Sequence, residues 1–330
     1  MNRKNIERNI NRKINKWVKT ITDTDLQNEI KKNIVITGGC IVSLLTNEEI
    51  NDYDVYFNNK ETTLKVAKYY VNEWKKKHKH DEDIEIFSCI EDYELLIQSK
   101  LKDYDGDNVK EYTKAVINEV GKYYDDRINI YIPSRGVATE IDYKDLNNFE
   151  QLKSKSFDIR NIQKEEEKKN KENYIPVFIS SNAITLSDGI QIICRFYGEP
   201  DEIHKYFDFV HCTNYYYNNK LVTNTLALES IFAKELFYVG SKYPLCSLIR
   251  IRKFVNRGWY INAGQILKIC LNLQDFDLNN VGVLKDQLMG VDSLYFTWII
   301  KAIHQDLNNK EIKEDEINSH YIIELIDKIF

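Results

Sequence analysis

Proline is scarce in this sequence, with 4 among 330 residues, and arginine is far rarer than lysine, whereas Lys, Asn, Ile and Tyr abound. That skew is the mark of an A+T-rich genome and says little about chemistry. Paired cysteines are missing: Cys40, Cys89, Cys194, Cys212, Cys246 and Cys270 are scattered and form no Cys-x-x-Cys. This argues against a disulfide framework and predicts reduced, buried thiols in a cytosol. Cys194, His204, His211 and Cys212 lack the paired spacing of a structural zinc site. No apolar run approaches the ~20 residues that span a bilayer. The polar, charged first residues predict no secretory leader. There is no excess of positive charge either: Lys and Arg number 46 against 51 Asp and Glu, a net charge of −5. Any nucleic-acid contact must then come from a local basic patch. No internal repeat is found.

What is present begins with a core. Hydrophobic residues make up 43% of the chain, and its length suggests two or three domains. Residues 3–20 carry Ile6, Ile10, Ile14 and Val18 four apart with Trp17 beside them, which predicts an amphipathic helix with a basic outer face. Packing on the core explains that helix better than RNA binding does. Asp23 or Thr24 can cap a second helix ending at Lys32. Then come strand 33–37, helix 40–46, strand 53–58 and helix 61–77. The block 76–175 is rich in Lys, Asp, Glu and Tyr and reads as an insertion, with a helical stretch at 109–123, a strand at 127–132 and a solvated charged run at 164–171. Strands at 175–179, 183–186 and 190–196 follow, the last two joined by a Ser187-Asp188-Gly189 turn. A short helix at 201–206 leads to a strand at 207–210. Helices at 225–239, 244–256, 262–271, 282–289, 292–306 and 316–330 complete the chain. The pattern is α+β, with a mixed α/β head over 1–224 and a helical part over 225–330.

The most informative stretch runs from Ile34 to Phe57. An apolar strand enters Gly38-Gly39, a short apolar helix follows, and the next strand carries Asp52 and Asp54. Strand side chains alternate, so both carboxylates project from one face while Tyr53, Val55 and Phe57 project from the other. Two neighbouring carboxylates repel unless a cation lies between them, and Mg²⁺ suits them. Bare glycine backbone at a helix start attracts phosphate. Two magnesium ions there would serve an in-line transfer.

The spacing from Gly38-Gly39 to Asp52-x-Asp54 resembles the motif of the CCA-adding enzyme and bacterial poly(A) polymerase family. Leu45 falls on the first Leu of that motif. Phe207-Asp208-Phe209 resembles the family's Arg-Arg-Asp-Phe. Ala227–Gly240 and Tyr243–Asn262 resemble its two later stretches. Together the matches cover about a quarter of the chain, in the family's order. The resemblance implies a DNA polymerase β-type nucleotidyltransferase head with a mixed sheet, then an all-helical neck. It implies transfer of a nucleoside monophosphate from a nucleoside triphosphate to an acceptor, an RNA 3′ end first, with pyrophosphate release. Some large phages carry similar proteins of unassigned substrate, which suits the base composition; the expected location is the cytoplasm, that of the host if the protein is phage-encoded.

On that reading Asp52 and Asp54 hold the metal ions, and Asp208 is the first candidate for a third carboxylate. Glu140 and Asp142 are weaker ones, and Asp188 reads as a turn residue. Gly38, Gly39, Ser43, Arg195 and Arg252 would contact the nucleotide. Lys242, Arg250, Lys253 and Arg257, extended by Lys234 and Lys268, would line an acceptor nucleic acid. The departures leave other outcomes open. Val42-Ser43 stands for the family's Arg-Asp, Tyr206-Phe207 for Arg-Arg, and Lys242, Tyr243 and Cys246 for its base-reading positions. Gln191 stands where a further carboxylate is expected. A nucleotidyltransferase acting on a protein or small molecule is the second reading, and a nucleotide-binding module without turnover is the third.

Overall fold

The fold was read from a computed structural model. It describes residues 2–78, 84–89, 127–132, 137–139 and 174–278, together with 283, 287 and 321. The expected elements at 109–123, 164–171 and 292–306, most of 282–289 and of 316–330, and the candidates Glu140 and Asp142, lie outside the described residues. The chain forms two compact units: Met1–Ile203 with Tyr215–Val222, and His204–Asn214 with Thr223–Phe330.

In the first unit, α1 (Arg3–Val18) forms because its apolar residues recur at helical spacing. Asn2 caps it, accepting the Asn5 N–H, and Ile6, Ile10, Ile14, Trp17 and Val18 are buried. Each such burial is worth about 1.5–3 kcal/mol. The Trp17 indole keeps its donor satisfied on Tyr70 Oη at 2.6 Å. The α2 helix (Thr24–Asn33) begins at the Asp23 cap, whose carboxylate accepts the Asp25 and Leu26 N–H groups. Then β1 (Ile34–Thr37), α3 (Gly39–Thr46), β2 (Tyr53–Phe57) and α4 (Lys60–Lys77) follow in the expected order.

Two short strands, β3 (Glu85–Phe87) and β4 (Asn129–Tyr131), pair antiparallel in a sheet of their own. The main sheet adds β5 (Val137–Thr139), β6 (Pro176–Ser180), β7 (Ala183–Leu186) and β8 (Ile190–Ile193). It is completed by β9 (Tyr215–Tyr217) and β10 (Lys220–Val222), in the order β10-β9-β1-β2-β8-β7-β6-β5. Only β2 and β8 run parallel, so the sheet is mixed. The α3 helix packs on β1 and β2, and α4 on β2 and β6. The fold is α+β, as the sequence pattern predicts.

The β9–β10 hairpin is an element that the sequence pattern did not lead us to expect. Its turn is Asn218-Asn219, both left-handed at φ 50° and 62°. Asn tolerates that region, and such a pair is a hairpin signal. The β8 strand ends at Ile193 rather than at 196.

The second unit holds α5's last residue (α5, Pro200–His204), α6 (Thr225–Ala233), α7 (Pro244–Val255) and α8 (Ala263–Leu273). The expected strand at 207–210 reduces to one bridge, Phe209 with Tyr238, before a 3-10 turn at Val210–Thr213. The helix expected at 225–239 stops at Ala233. Lys234 takes a left-handed conformation, and Leu236 N–H bonds instead to Tyr260 O at 2.8 Å. Long-range backbone pairing thus overrides the apolar run 236–239. The core here gathers Phe209, His211, Tyr238, Phe254 and Trp259 ring against ring.

Candidate functional site

The first unit brings together the glycine pair and the carboxylates. Gly38 follows β1 as the N-cap of α3, with φ 88° and ψ −151°, a backbone that side-chain-bearing residues rarely adopt. A Cβ there would sit 2.9 Å from Asp54 Oδ2. The missing side chain is what lets the Asp54 carboxylate lie against the start of α3. Gly39 differs: it is exposed, and a Cβ added to it would meet nothing within 4 Å. No side chain caps α3.

Register fixes which groups face each other. Asp54 lies opposite Thr37 on β1 and beside Gln191 on β8. Directly paired residues share a sheet face, so Thr37, Asp54 and Gln191 stand abreast. Asp52, two residues before Asp54, shares that side. Both carboxylates are half-buried. Beneath them lies Cys40, 2% exposed, whose thiol contacts Thr37 O at 3.6 Å. Burial, then the Asp54 and Asp52 charges, push this thiol well above its ordinary pKa, so it stays protonated and unreactive. Thr37 and Cys40 flank the glycines in sequence, and that adjacency was the signal available for both.

The β7–β8 turn supports β2 from beside. Asp188 and Gly189 are left-handed, at φ 62° and 64°. The Tyr53 N–H donates to Gly189 O at 2.9 Å, and a Cβ on Gly189 would meet Asn51 O at 3.0 Å. Lys13 of α1 pairs with Asp188 Oδ2 at 3.0 Å and lies over the rings of Tyr53 and Tyr174. Burial pushes the Tyr53 phenol up to about 12. Asp188 is therefore a turn residue, as its sequence context predicts.

Ser43 is buried within α3, and its carbonyl accepts the Glu48 N–H. Arg195 is buried in the segment after β8, with its guanidinium 5.5 Å from the Phe196 ring. Asp208 belongs to the second unit and accepts a hydrogen bond from Arg250 at 2.5 Å. Lys242, Arg252, Lys253 and Arg257 are exposed residues of that same unit. Among the described residues, no three His, Cys, Asp or Glu side chains gather as a metal site. No helix among the described residues is long and apolar enough to cross a membrane.

Residues 8–234 match the family model described as Gabija anti-defense 2 family protein. The chain belongs to that family. The match takes in every strand of the main sheet, from β1 to β10. A curated relative of the same description, "Gabija anti-defense 2" from Bacillus phage SPbetaL7, is 24% identical over 141 residues. That alignment covers 41% of this chain and 32% of the relative, so the chain spans about a third of the curated relative it matches. No solved structure matches the chain.

Membership of the Gabija anti-defense 2 family corrects the family that the motifs suggested. The chain is not placed among CCA-adding enzymes and poly(A) polymerases, and the inferred transfer of a nucleoside monophosphate to an RNA 3′ end falls with that placement. The descriptors that followed from it (polymerase β superfamily, magnesium, nucleotide, ATP and RNA binding) lose their support in the same way, while the phage setting fits. The physical reason is the brevity of the signal. A strand, a glycine pair, a helix and two alternating aspartates describe a local geometry that many chemistries can use. Phe207-Asp208-Phe209 contributes one bridge and an ion pair, and Ala227–Gly240 is a helix broken at Lys234.

Proposed function

We propose that this chain is a phage anti-defence protein that counteracts the Gabija defence inside the infected host cell, and that it works through the Gly38–Asp52–Asp54 site. The observation that carries the reading is the extent of the family match, residues 8–234, which encloses the whole main sheet and its carboxylate site. The site's build supports it further. Gly38 is in a conformation that costs a side-chain-bearing residue about 1–3 kcal/mol, and it admits the Asp54 carboxylate. Two like charges held half-buried side by side are more costly than stability alone requires.

The test is an infection assay. Bacteria carrying Gabija are infected with a Gabija-sensitive phage, with and without this protein expressed. Expression should restore plaque formation, and Asp52→Asn plus Asp54→Asn should abolish the rescue while the protein remains folded and abundant. Failure of the wild-type chain to rescue plating would overturn the anti-defence reading. Rescue by the double variant would remove the site from it.

A further inference from the structure

Helix α1 has a face that the core does not use. Its apolar side chains Ile6, Ile10, Ile14, Trp17 and Val18 are all buried. At 3.6 residues per turn, Lys4, Arg8, Arg12, Lys16 and Lys19 fall within an arc of about 120° on the opposite side. All five are exposed. Asn5, Asn9 and Asn15 lie among them, and no carboxylate does. The helix's one acidic residue, Glu7, is on the flank, where it accepts the Leu221 N–H at 2.9 Å and pairs with Arg3 at 3.0 Å. The five cations form no ion pair among the described residues.

This is not the lysine richness of the chain at large. On α4, Lys65 sits between Glu29 and Glu61, and Lys76 pairs with Glu73. Two of the four exposed lysines there are thus paired with acids. On α1 they are not, and Arg3, Arg8 and Arg12 are three arginines within the first twelve residues of an arginine-poor chain.

We propose that the outer face of α1 binds the phosphate backbone of a nucleic-acid duplex. An acidic protein surface is the other partner such charge could suit. Protein interfaces, however, are anchored by aromatic or aliphatic side chains in a desolvated centre, and every large apolar side chain of α1 is committed to the core. A polyphosphate needs only cations and amide donors, which is what this face displays. Four residues of helix rise about 6 Å, so Lys4 to Lys19 spans about 22 Å. That length runs past about six phosphates of one strand. The chain's net charge of −5 confines the attraction to the patch, within a Debye length of about 8–10 Å. The helix is held by its buried face, so the cations are presented without a folding cost on binding. The inference stands apart from the anti-defence reading and uses a different element.

The test is fluorescence anisotropy of the full chain with labelled duplexes of about twenty base pairs, one of DNA and one of RNA, across a salt series. Five phosphate contacts give a slope of log K against log salt of about −4.5. Arg8→Glu, Arg12→Glu and Lys16→Glu together should weaken binding at least tenfold and bring the slope to about −2. Lys65→Glu with Lys76→Glu on α4 should change binding less than twofold. Thermal unfolding of both variants establishes that they are folded. Binding of both duplexes supports recognition of the shared phosphodiester backbone, and binding of one alone names the source. Absence of binding to either at low salt overturns the proposal, as does binding that the triple variant leaves intact. Competition by polyglutamate as strong as by duplex of equal charge assigns the face to an acidic protein instead and also overturns it.

Discussion

Replacing each of the two adjacent glycines by alanine should move stability in opposite directions. At Gly38 the φ of 88° is outside the range that side-chain-bearing residues favour, which costs about 1–3 kcal/mol. The new Cβ would also stand 2.9 Å from Asp54 Oδ2, closer than such atoms approach. Relieving that overlap shifts the carboxylate or the strand, adding on the order of 1–3 kcal/mol. Gly39 opens α3, takes no positive φ and has open space where its Cβ would be. Alanine there removes unfolded-chain entropy and gains about 0.5–1 kcal/mol. The two variants should thus differ by roughly 2.5–7 kcal/mol. Urea unfolding followed by fluorescence and circular dichroism measures both, with comparable m-values showing that the same surface unfolds. Equal midpoints for Gly38→Ala and Gly39→Ala would refute the account of Gly38. In the infection assay Gly38→Ala should lose rescue. Lost rescue for a fully folded Gly39→Ala would mark the bare backbone as the place a ligand approaches.

Other expectations follow from the same contacts. His211 is 1% exposed, neither ring nitrogen has a hydrogen-bond partner among the described residues, and burial holds it down to about 4 from 6.5. A lowered histidine stabilises the fold fully above the unfolded value. That stability, about 3 kcal/mol, is lost as pH falls from 6.5 towards 4, and His211→Phe should flatten the acid limb of urea midpoint against pH. Arg250→Met strands the nearly buried Asp208 carboxylate and should cost about 2–3 kcal/mol. Adding Asp208→Asn should recover part of that loss in a thermal-unfolding double-mutant cycle. Lys13→Met frees the Asp188-Gly189 turn and should speed hydrogen exchange at residues 51–57 about tenfold, leaving β1 protected. Unchanged exchange would show that Lys13 does not hold that turn.

Much of this was legible in the chain itself. The spacing of Ile6, Ile10, Ile14 and Trp17 determined α1, because a helix with one apolar stripe has one way to bury it. Gly38-Gly39 and the alternation of Asp52 with Asp54 likewise determined a bare turn beside two carboxylates on one face. Function was less legible, since that local geometry is shared by unrelated chemistries, and the resemblance built on it was overturned by family membership over 8–234. Other features depended on residues far apart in the chain. The pairing of Tyr215–Tyr217 with β1 set the sheet's edge, and Tyr260 ended a helix that the apolar run at 236–239 would have continued. The partner of Asp208, Arg250, is 42 residues on, and no local pattern announces that pairing. Periodicity fixes which face of an element is buried, because burial is local and additive. Which charge meets which, and where a strand finds its partner, is set by closure of the whole chain.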